Sequence, residues 1–397
     1  MVLRYLTAGE SHGPALAGIL EGLPAGVPVD PAALAHELAR RRVGHGRSPR
    51  MDFEEDRTEI LGGVRHGHTI GSPVAVVIHN TEWPKWTEVL GVEAPADPKA
   101  LEASGRGGPL TRPRPGHADL VGMQKYGFDE ARNILERASA RETATRVALA
   151  YFARSLLHEV GVAVLSHVVR IGEVSTAQDA ALPSPEDLAA IDDDPVRCFD
   201  PAASQRMQQR IDQAKAERDT LGGVVEVLAY GLPPGLGSHV HWDRKLDARL
   251  AAALMSVQAF KGVEVGDGFR SAAAPGSRAH DEIVAGDDGR PRRTSLHAGG
   301  IEGGTSTGEV LRVRAAMKPL SSLTRPLATV DVRTGEPAEA IQQRSDVCAV
   351  PRAGVVAEAV AALTLADALL EKTGGDHLDE VRRNLAAYVE ALPRLPQ

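Results

Sequence analysis

Ala15-Leu-Ala-Gly-Ile-Leu-Glu-Gly-Leu-Pro24 and Leu221-Gly-Gly-Val-Val-Glu-Val-Leu-Ala-Tyr-Gly-Leu-Pro233 are two versions of one pattern. Each is a β-like apolar run closed by a Gly-Leu-Pro turn and followed by a helical pattern. The first helix runs from Pro31 to about Arg42, with Asp30 as N-cap and proline at the first helical position. The second runs from about Asp243 to Val257. Another pair follows in the same order. Gly62-Gly-Val-Arg-His-Gly-His-Thr-Ile-Gly71 leads into strand-like Pro73–Ile78, and Gly299-Gly-Ile-Glu-Gly-Gly-Thr-Ser-Thr-Gly308 leads into alternating Glu309–Ala315. The glycines match as Gly62/Gly299, Gly63/Gly300, Gly67/Gly304 and Gly71/Gly308. A long helix candidate closes each half, at about Asp129–His158 and about Ala353–Lys372. Two ordered pairs point to an internal duplication, with a repeat too long for a solenoid. The expectation is one domain of two similar halves, about 1–175 and 218–397, related by a pseudo-twofold axis.

The other elements expected are strands at Arg4–Thr7, Val162–Ile171 and Ala328–Val332, and helices at about Pro201–Lys215 and Leu378–Ala391. Strands come in pairs joined by short glycine turns rather than in βαβ alternation, which favours antiparallel sheets packed on helices. Loops are expected at Gly44–Arg50, Ser104–Gly116, Ala274–Arg292 and Met317–Pro326. Three of them carry cations, and loops are where sites usually sit.

Composition narrows the function classes. The 397 residues are 43% hydrophobic and 25% charged, ordinary for a globular chain able to bury a sizeable core. Aromatics at 4% and a net charge of -8 oppose a nucleic-acid binder, which needs stacking rings and a basic surface. Cys198 and Cys348 make no disulfide framework and fit a reducing cytoplasm. No uncharged run reaches the ~20 residues of a membrane span, and the N-terminus lacks a signal-peptide pattern. The expectation is a cytoplasmic protein with no membrane and no nucleic-acid partner.

Against this acidic background, Arg40-Arg-Arg-Val-Gly-His-Gly-Arg-Ser-Pro-Arg50 holds five arginines, a histidine and no acid. Guanidinium suits bidentate capture of phosphate or carboxylate; the bland reading is a solvated basic face. Gly9-Glu-Ser-His-Gly13 places His12 at a strand end, as a general acid or base or as a hydrogen-bonded structural residue. Leu110-Thr-Arg-Pro-Arg-Pro-Gly-His-Ala-Asp119 sets Arg112, Arg114 and His117 on a proline-stiffened loop. Within the first long helix candidate, Arg137 and Arg141 are spaced to share a face, and Glu142 and Arg146 to pair on a neighbouring one. The small residues Ala138, Ser139 and Ala140 leave room for a flat ring or a phosphate. Asp346 is either the partner of Arg344 or a base beside an anion-binding arginine, and periodicity does not choose. Metal is disfavoured: there is no His-Glu-x-x-His, and His239 and His241 lack a third ligand nearby. Neither a Walker loop nor a Gly-x-Gly-x-x-Gly after a strand is present. The residues alone indicate an enzyme for a polyanionic ligand, with one or two general-acid histidines.

Together these motifs resemble the chorismate synthase family. The matching stretches are Gly9–Gly13, Arg40–Met51, Gly62–Gly71, Arg112–Leu120, Glu136–Arg146, Leu221–Gly237, Ser256–Gly268, Gly299–Gly308 and Arg344–Ala349, in the family's order through nearly the whole chain. The resemblance implies an α+β fold, a β-α-β sandwich with long helices between antiparallel sheets, assembled as a homotetramer. It implies anti-1,4-elimination of phosphate from 5-enolpyruvylshikimate 3-phosphate to give chorismate, the last common step to the aromatic amino acids. Reduced FMN is required without net redox change. By the same resemblance Arg41, Arg47, Arg50, Arg114, Arg141 and Arg344 would hold substrate, and Arg41 and Arg47 would also meet NADP. Arg137, Ala138, Ser139, Gln258, Ala259, Gly303, Lys318, Pro319, Leu320, Ser321, Ser322 and Arg344 would cradle FMN. His12 would protonate the departing phosphate, His117 would serve flavin N1, and Asp346 would relay the ring proton through flavin N5. NADPH enters as an indirect reductant, and with no added domain for flavin reduction an external flavin reductase is expected. Leu296-His297 and Thr307 depart from the family's usual residues at positions expected to border the flavin. The rivals are an RNA-binding protein using the arginine run, and a phosphatase or phosphotransferase working without flavin.

Overall fold

The computed structural model describes residues 2–47, 56–287, 289–343 and 345–396. The first half runs β1 (Arg4–Ala8), β2 (Ala15–Glu21), α1 (Pro31–Arg40), β3 (Thr58–Gly62), a hairpin of β4 (Val64–Arg65) and β5 (His68–Thr69), and β6 (Val74–His79). Helices α2 (Thr87–Leu90), α3 (Pro98–Ala103), α4 (Asp119–Tyr126) and α5 (Arg132–Ala138) then lead to α6 (Thr143–His158). The chain continues through β7 (Ala163–Ile171), β8 (Val174–Ser175), α7 (Leu188–Asp193), α8 (Pro201–Ala216), β9 (Gly223–Tyr230), α9 (Leu246–Met255) and β10 (Phe260–Val265). Next come α10 (Gly276–Ala279), the hairpins β11 (Ile283–Ala285)–β12 (Pro291–Arg293) and β13 (Ile301–Glu302)–β14 (Thr305–Ser306), and β15 (Leu311–Met317). A last strand pair, β16 (Ala328–Val330) and β17 (Pro337–Glu339), precedes α11 (Val350–Thr373) and α12 (Leu378–Glu390).

Two antiparallel sheets, ordered β1-β2-β6-β3 and β10-β15-β9-β7-β8, enclose the paired helices α6 and α11. α6 lies on β2 and β6, and α11 lies on β7 and β9, which is the β-α-β sandwich expected. Helix and sheet approach closely. A Cβ on Gly18 of β2 would stand 2.4 Å from Thr145 and 3.0 Å from Leu149 of α6. By length and composition α11 resembles a membrane span, but 89% of its apolar window is buried inside this protein, as a core helix.

The two halves share one construction. Order β7-β9-β15-β10 repeats β1-β2-β6-β3, with α9 in the place of α1, β13–β14 in that of β4–β5, and α11 in that of α6. The correspondence reaches single hydrogen bonds. Thr69 Oγ1 donates to Pro24 O (2.6 Å) and accepts from Val27 N (2.9 Å); Ser306 Oγ donates to Pro233 O (2.7 Å) and accepts from Leu236 N (2.8 Å). Gly63, Gly67 and Gly71 have φ of 84°, 75° and 80°, and their counterparts Gly300, Gly304 and Gly308 have 78°, 83° and 93°. Those pairs recur because the turns need left-handed backbone. In the fourth pair only Gly299 (φ 64°) is left-handed.

Asp30 caps α1 as expected, accepting from Ala32 N at 2.8 Å. The long helix expected over 129–158 is instead broken. α5 ends at Ser139, whose extended backbone (ψ 140°) starts a single 3₁₀ turn, Ala140–Glu142, before α6. Ser139 Oγ accepts from Arg141 N (3.3 Å), a serine competing with the helix for a backbone donor. Expected helix 243–257 likewise opens with a 3₁₀ turn at Trp242–Arg244. Ala274–Arg292, expected as loop, holds α10 and most of the β11–β12 hairpin.

The matched hydroxyls give a test. Thr69→Val and Ser306→Ala should each destabilise the protein by about 1–3 kcal/mol, since each strands a buried backbone donor. Urea unfolding of both single variants should return similar losses; a negligible loss in one would mean the two turns are not equivalent.

Candidate active site

A cleft of about 290 Å³ opens between the halves. The first half brings Ser11, His12, Arg41, Arg114, His117, Ser139 and Arg141 to its wall; the second brings Gln258, Leu320, Ser321, Ser322, Asp346 and Arg352. Distant parts of the chain thus converge as expected, including all three candidate titrating groups.

Each histidine is backed by a buried carboxylate. His12 Nδ1 lies 3.0 and 2.9 Å from the two Glu136 oxygens, and His12 N donates to Glu136 Oε2 at 3.0 Å. Trp86 stacks on the imidazole, with centroids 4.1 Å apart. With Nδ1 engaged, Nε2 is the nitrogen left for a ligand. His117 Nδ1 lies 2.6 Å from Asp119 Oδ1, and Arg114 holds the same carboxylate through Nε (2.8 Å) and Nη2 (3.1 Å). Arg114 Nη1 also donates to Ser322 Oγ at 2.9 Å, joining the halves across the cleft. Asp119 is fully buried. Burial pushes its pKa upward, but hydrogen bonds from His117 and Arg114, with their charges, hold it well below the usual carboxylate range.

The basic run is divided by the fold. Arg40 turns into the core, meeting Asp192 (2.7 Å), Glu37 (2.8 Å) and Glu358 (2.8 Å). Arg41, Arg42 and Arg141 gather around Asp56, with Arg41 at 3.5 Å and Arg42 at 3.8 Å. Burial alone would raise the Asp56 pKa; Arg41, Arg141 and Arg42 overcome it and keep the carboxyl ionised below its ordinary range. Part of the anion that the run seemed to demand is therefore the protein's own. Arg47 is exposed outside the described wall, with Nη1 3.5 Å from Arg42 O. Arg50 and Arg344 lie outside the described residues.

Arg137 and Arg141 do not share a face, because the helix breaks between them. Arg137 donates to Gly9 O (3.0 Å) and Thr7 O (3.1 Å), away from Arg141 and Asp56. Glu142 and Arg146 do pair, at 3.1 Å. Asp346 forms an ion pair with Arg352 of α11. Of the remaining flavin candidates, Ala138, Ala259 and Pro319 adjoin wall residues in sequence, and Lys318 donates to Gly116 O beside His117. Gly303 lies with Gly304, which accepts from Leu246 N at the start of α9. Gln258 is just past the other end, about 15 Å away along a ten-residue helix. Leu296, His297 and Thr307 are also absent from the wall; His297 Nδ1 bonds Asp267 Oδ2 at 2.7 Å.

Glu136, Asp119, Asp56, Trp86 and Arg352 went unassigned in the sequence reading. Asp119 stands two residues from His117 and was within reach of it. Glu136 lies 124 positions from His12, and no local pattern joins them. Among the described residues no group of three or more His, Cys, Asp or Glu is arranged to hold a metal.

The family model for chorismate synthase matches residues 3–370.

The chain belongs to the chorismate synthase family.

Chorismate synthases of Thermobifida fusca and Acidothermus cellulolyticus are 64% and 66% identical over 392 residues, covering 98% of this chain and 99% of each relative. A solved structure titled as a crystal structure of chorismate synthase superposes with TM-score 0.76 at 39% identity, covering 98% of both chains. Membership makes the protein a carbon–oxygen lyase of the shikimate pathway.

Asp119→Asn should cost about 3–5 kcal/mol at pH 7, the usual result of breaking a buried pair. The depressed carboxyl contributes stability above the ordinary carboxylate pKa of ~3.9 and loses it as pH falls through its folded value. Denaturant unfolding at pH 7 and pH 3 should therefore show the gap from wild type narrowing in acid; a constant gap would remove the charge from the explanation.

Proposed function

We propose that the cleft binds 5-enolpyruvylshikimate 3-phosphate beside reduced FMN and eliminates phosphate and a ring hydrogen to give chorismate. The observation that carries this reading is the pair of carboxylate-backed histidines, His12 and His117, facing one arginine-walled cleft with Asp346. The substrate has two carboxylates and a phosphate, and Arg41, Arg114 and Arg141 offer fixed guanidinium groups to neutralise them. Arg50 and Arg344 remain proposed for the same task; Arg47 and Gly303 are not assigned to the cleft of a single chain.

The wall suits a flavin on one direct count. Gln258 gives Nε2 to Glu142 (3.2 Å), while its buried Oε1 has no partner among the described residues. That acceptor, with Ser139, Leu320, Ser321 and Ser322, would hold the ring system and its polar edge. Reduced flavin supplies transient electron density that weakens the carbon–oxygen bond, chemistry that belongs to the cofactor. The protein's part is charge and protons. His12 Nε2 gives a proton to the departing phosphate, His117 holds a proton at the flavin edge, and Asp346 takes up the proton lost from the ring.

On this proposal the enzyme is cytoplasmic and takes its reduced flavin from an external reductase, with NADPH as the remote electron source. We also propose that residues 1–175 and 218–397 act as one domain, since the cleft needs both. A homotetramer is proposed as well, supported by the outer face of the first sheet, where Leu6 (75% exposed) pairs with Ile19 (46%) and Leu61 (60%) also lies bare.

Chorismate formation should be measured anaerobically with chemically reduced FMN; phosphate release that ignores flavin would defeat the proposal. His12→Ala should lower turnover about 10²–10⁴-fold, with FMN affinity little changed. Turnover near wild type would remove His12 from the mechanism. Asp346→Asn should lower the maximal rate more than the affinity, as measured by single turnover with pre-reduced FMN. Weakened binding at a normal single-turnover rate would instead assign Asp346 to holding Arg352.

A further inference from the structure

We infer that Glu136 is the positioning residue of His12, holding its imidazole in one tautomer and one ring plane for proton donation. The inference rests on the proton-donor reading of His12. Glu136 is almost fully buried, its side chain 1% exposed, and among the described residues its carboxylate hydrogen-bonds only to His12. Burying a carboxylate is costly, and a single histidine is a meagre partner if the purpose is stability. A neutral acceptor would satisfy His12 N with less desolvation.

The contacts instead define the ring completely. Glu136 grips its Nδ1 edge with both oxygens, Trp86 covers a face, and Ser11 N donates to Glu136 O (3.0 Å), tying the His12 loop to α5. Proton loss from Nε2 then leaves the Nδ1–H tautomer already bonded to carboxylate, so no proton must move elsewhere on the ring. His117 repeats the device with Asp119, but there Arg114 shares the carboxylate. Of the two carboxylates behind the cleft histidines, Glu136 alone gives its hydrogen bonds wholly to its histidine among the described residues.

Two measurements on the full-length protein test this. In ¹⁵N NMR of flavin-free protein, the His12 ring signals, identified by their loss in His12→Gln, should show Nδ1 protonated. A neutral Nε2–H tautomer overturns the inference without any Glu136 variant having to fold. In assays with reduced FMN, Glu136→Gln keeps size and an acceptor oxygen but removes the charge. Its kcat should fall about 10–100-fold, the range for losing an orienting partner behind a functional histidine, with KM for substrate little changed. Unchanged kcat, or a raised KM with kcat retained, overturns the inference. Full turnover in His12→Ala would sink the proton-donor reading instead, and the tautomer measurement keeps the two failures apart.

Discussion

Glu358 has no solvent contact, and four side chains from different parts of the chain converge on its carboxylate. Arg40 of α1 lies 2.8 Å away, Ser166 of β7 donates at 3.0 Å, Arg197 stands at 3.7 Å, and Arg154 of α6 completes the set. A carboxylate cannot be buried in the middle of a core without such partners. The requirement fixes where α1, α6 and β7 stand relative to α11, the helix that carries Arg352. Glu37 and Asp192 balance the remaining charge, and burial pushes Arg154 down to about 10, still protonated at neutral pH.

Because Arg40 is drawn inward to Glu358, the next two residues leave α1 toward Asp56. Asp56 in turn holds Arg141, just beyond the break at Ser139. Like charges that repel one another in isolation are thus distributed among internal acids, Arg40 to Glu358, Glu37 and Asp192, and Arg41 and Arg42 to Asp56, with Arg41 and Arg141 left on the cleft wall. The break at Ser139 matters equally: a continuous helix would have kept Arg137 and Arg141 on one stripe, whereas the observed turn gives Arg137 to the end of β1.

The two halves share a frame and differ in chemistry. Turns and hairpins remain equivalent down to the Thr69 and Ser306 hydroxyls. The site is not equivalent. Both histidines and most of the arginines come from the first half, while the second contributes Gln258, the serines after β15, and Asp346. Arg114 to Ser322 is one hydrogen bond in which the two contributions meet, and Gln258 to Glu142 is another.

Local patterns determined a good deal of this protein. Paired Gly-Leu-Pro turns and matched glycine loops exposed the likeness of the two halves, because a left-handed turn demands glycine whatever surrounds it. Asp30-Pro31 marked the start of α1 through capping alone, and the density of arginine and histidine in stiff loops marked the arginine-walled cleft. β3 and β10 escaped notice although their burial alternates in places, since such short runs carry little signal beside the glycine loops that follow. What only the tertiary structure decided is which charges meet. Arg40 parted from Arg41, Asp346 paired with Arg352, and Glu136 settled behind His12 across 124 positions. Spacing encodes which residues share a face of one element; partners on separate elements are chosen by packing, where each buried charge must find its opposite.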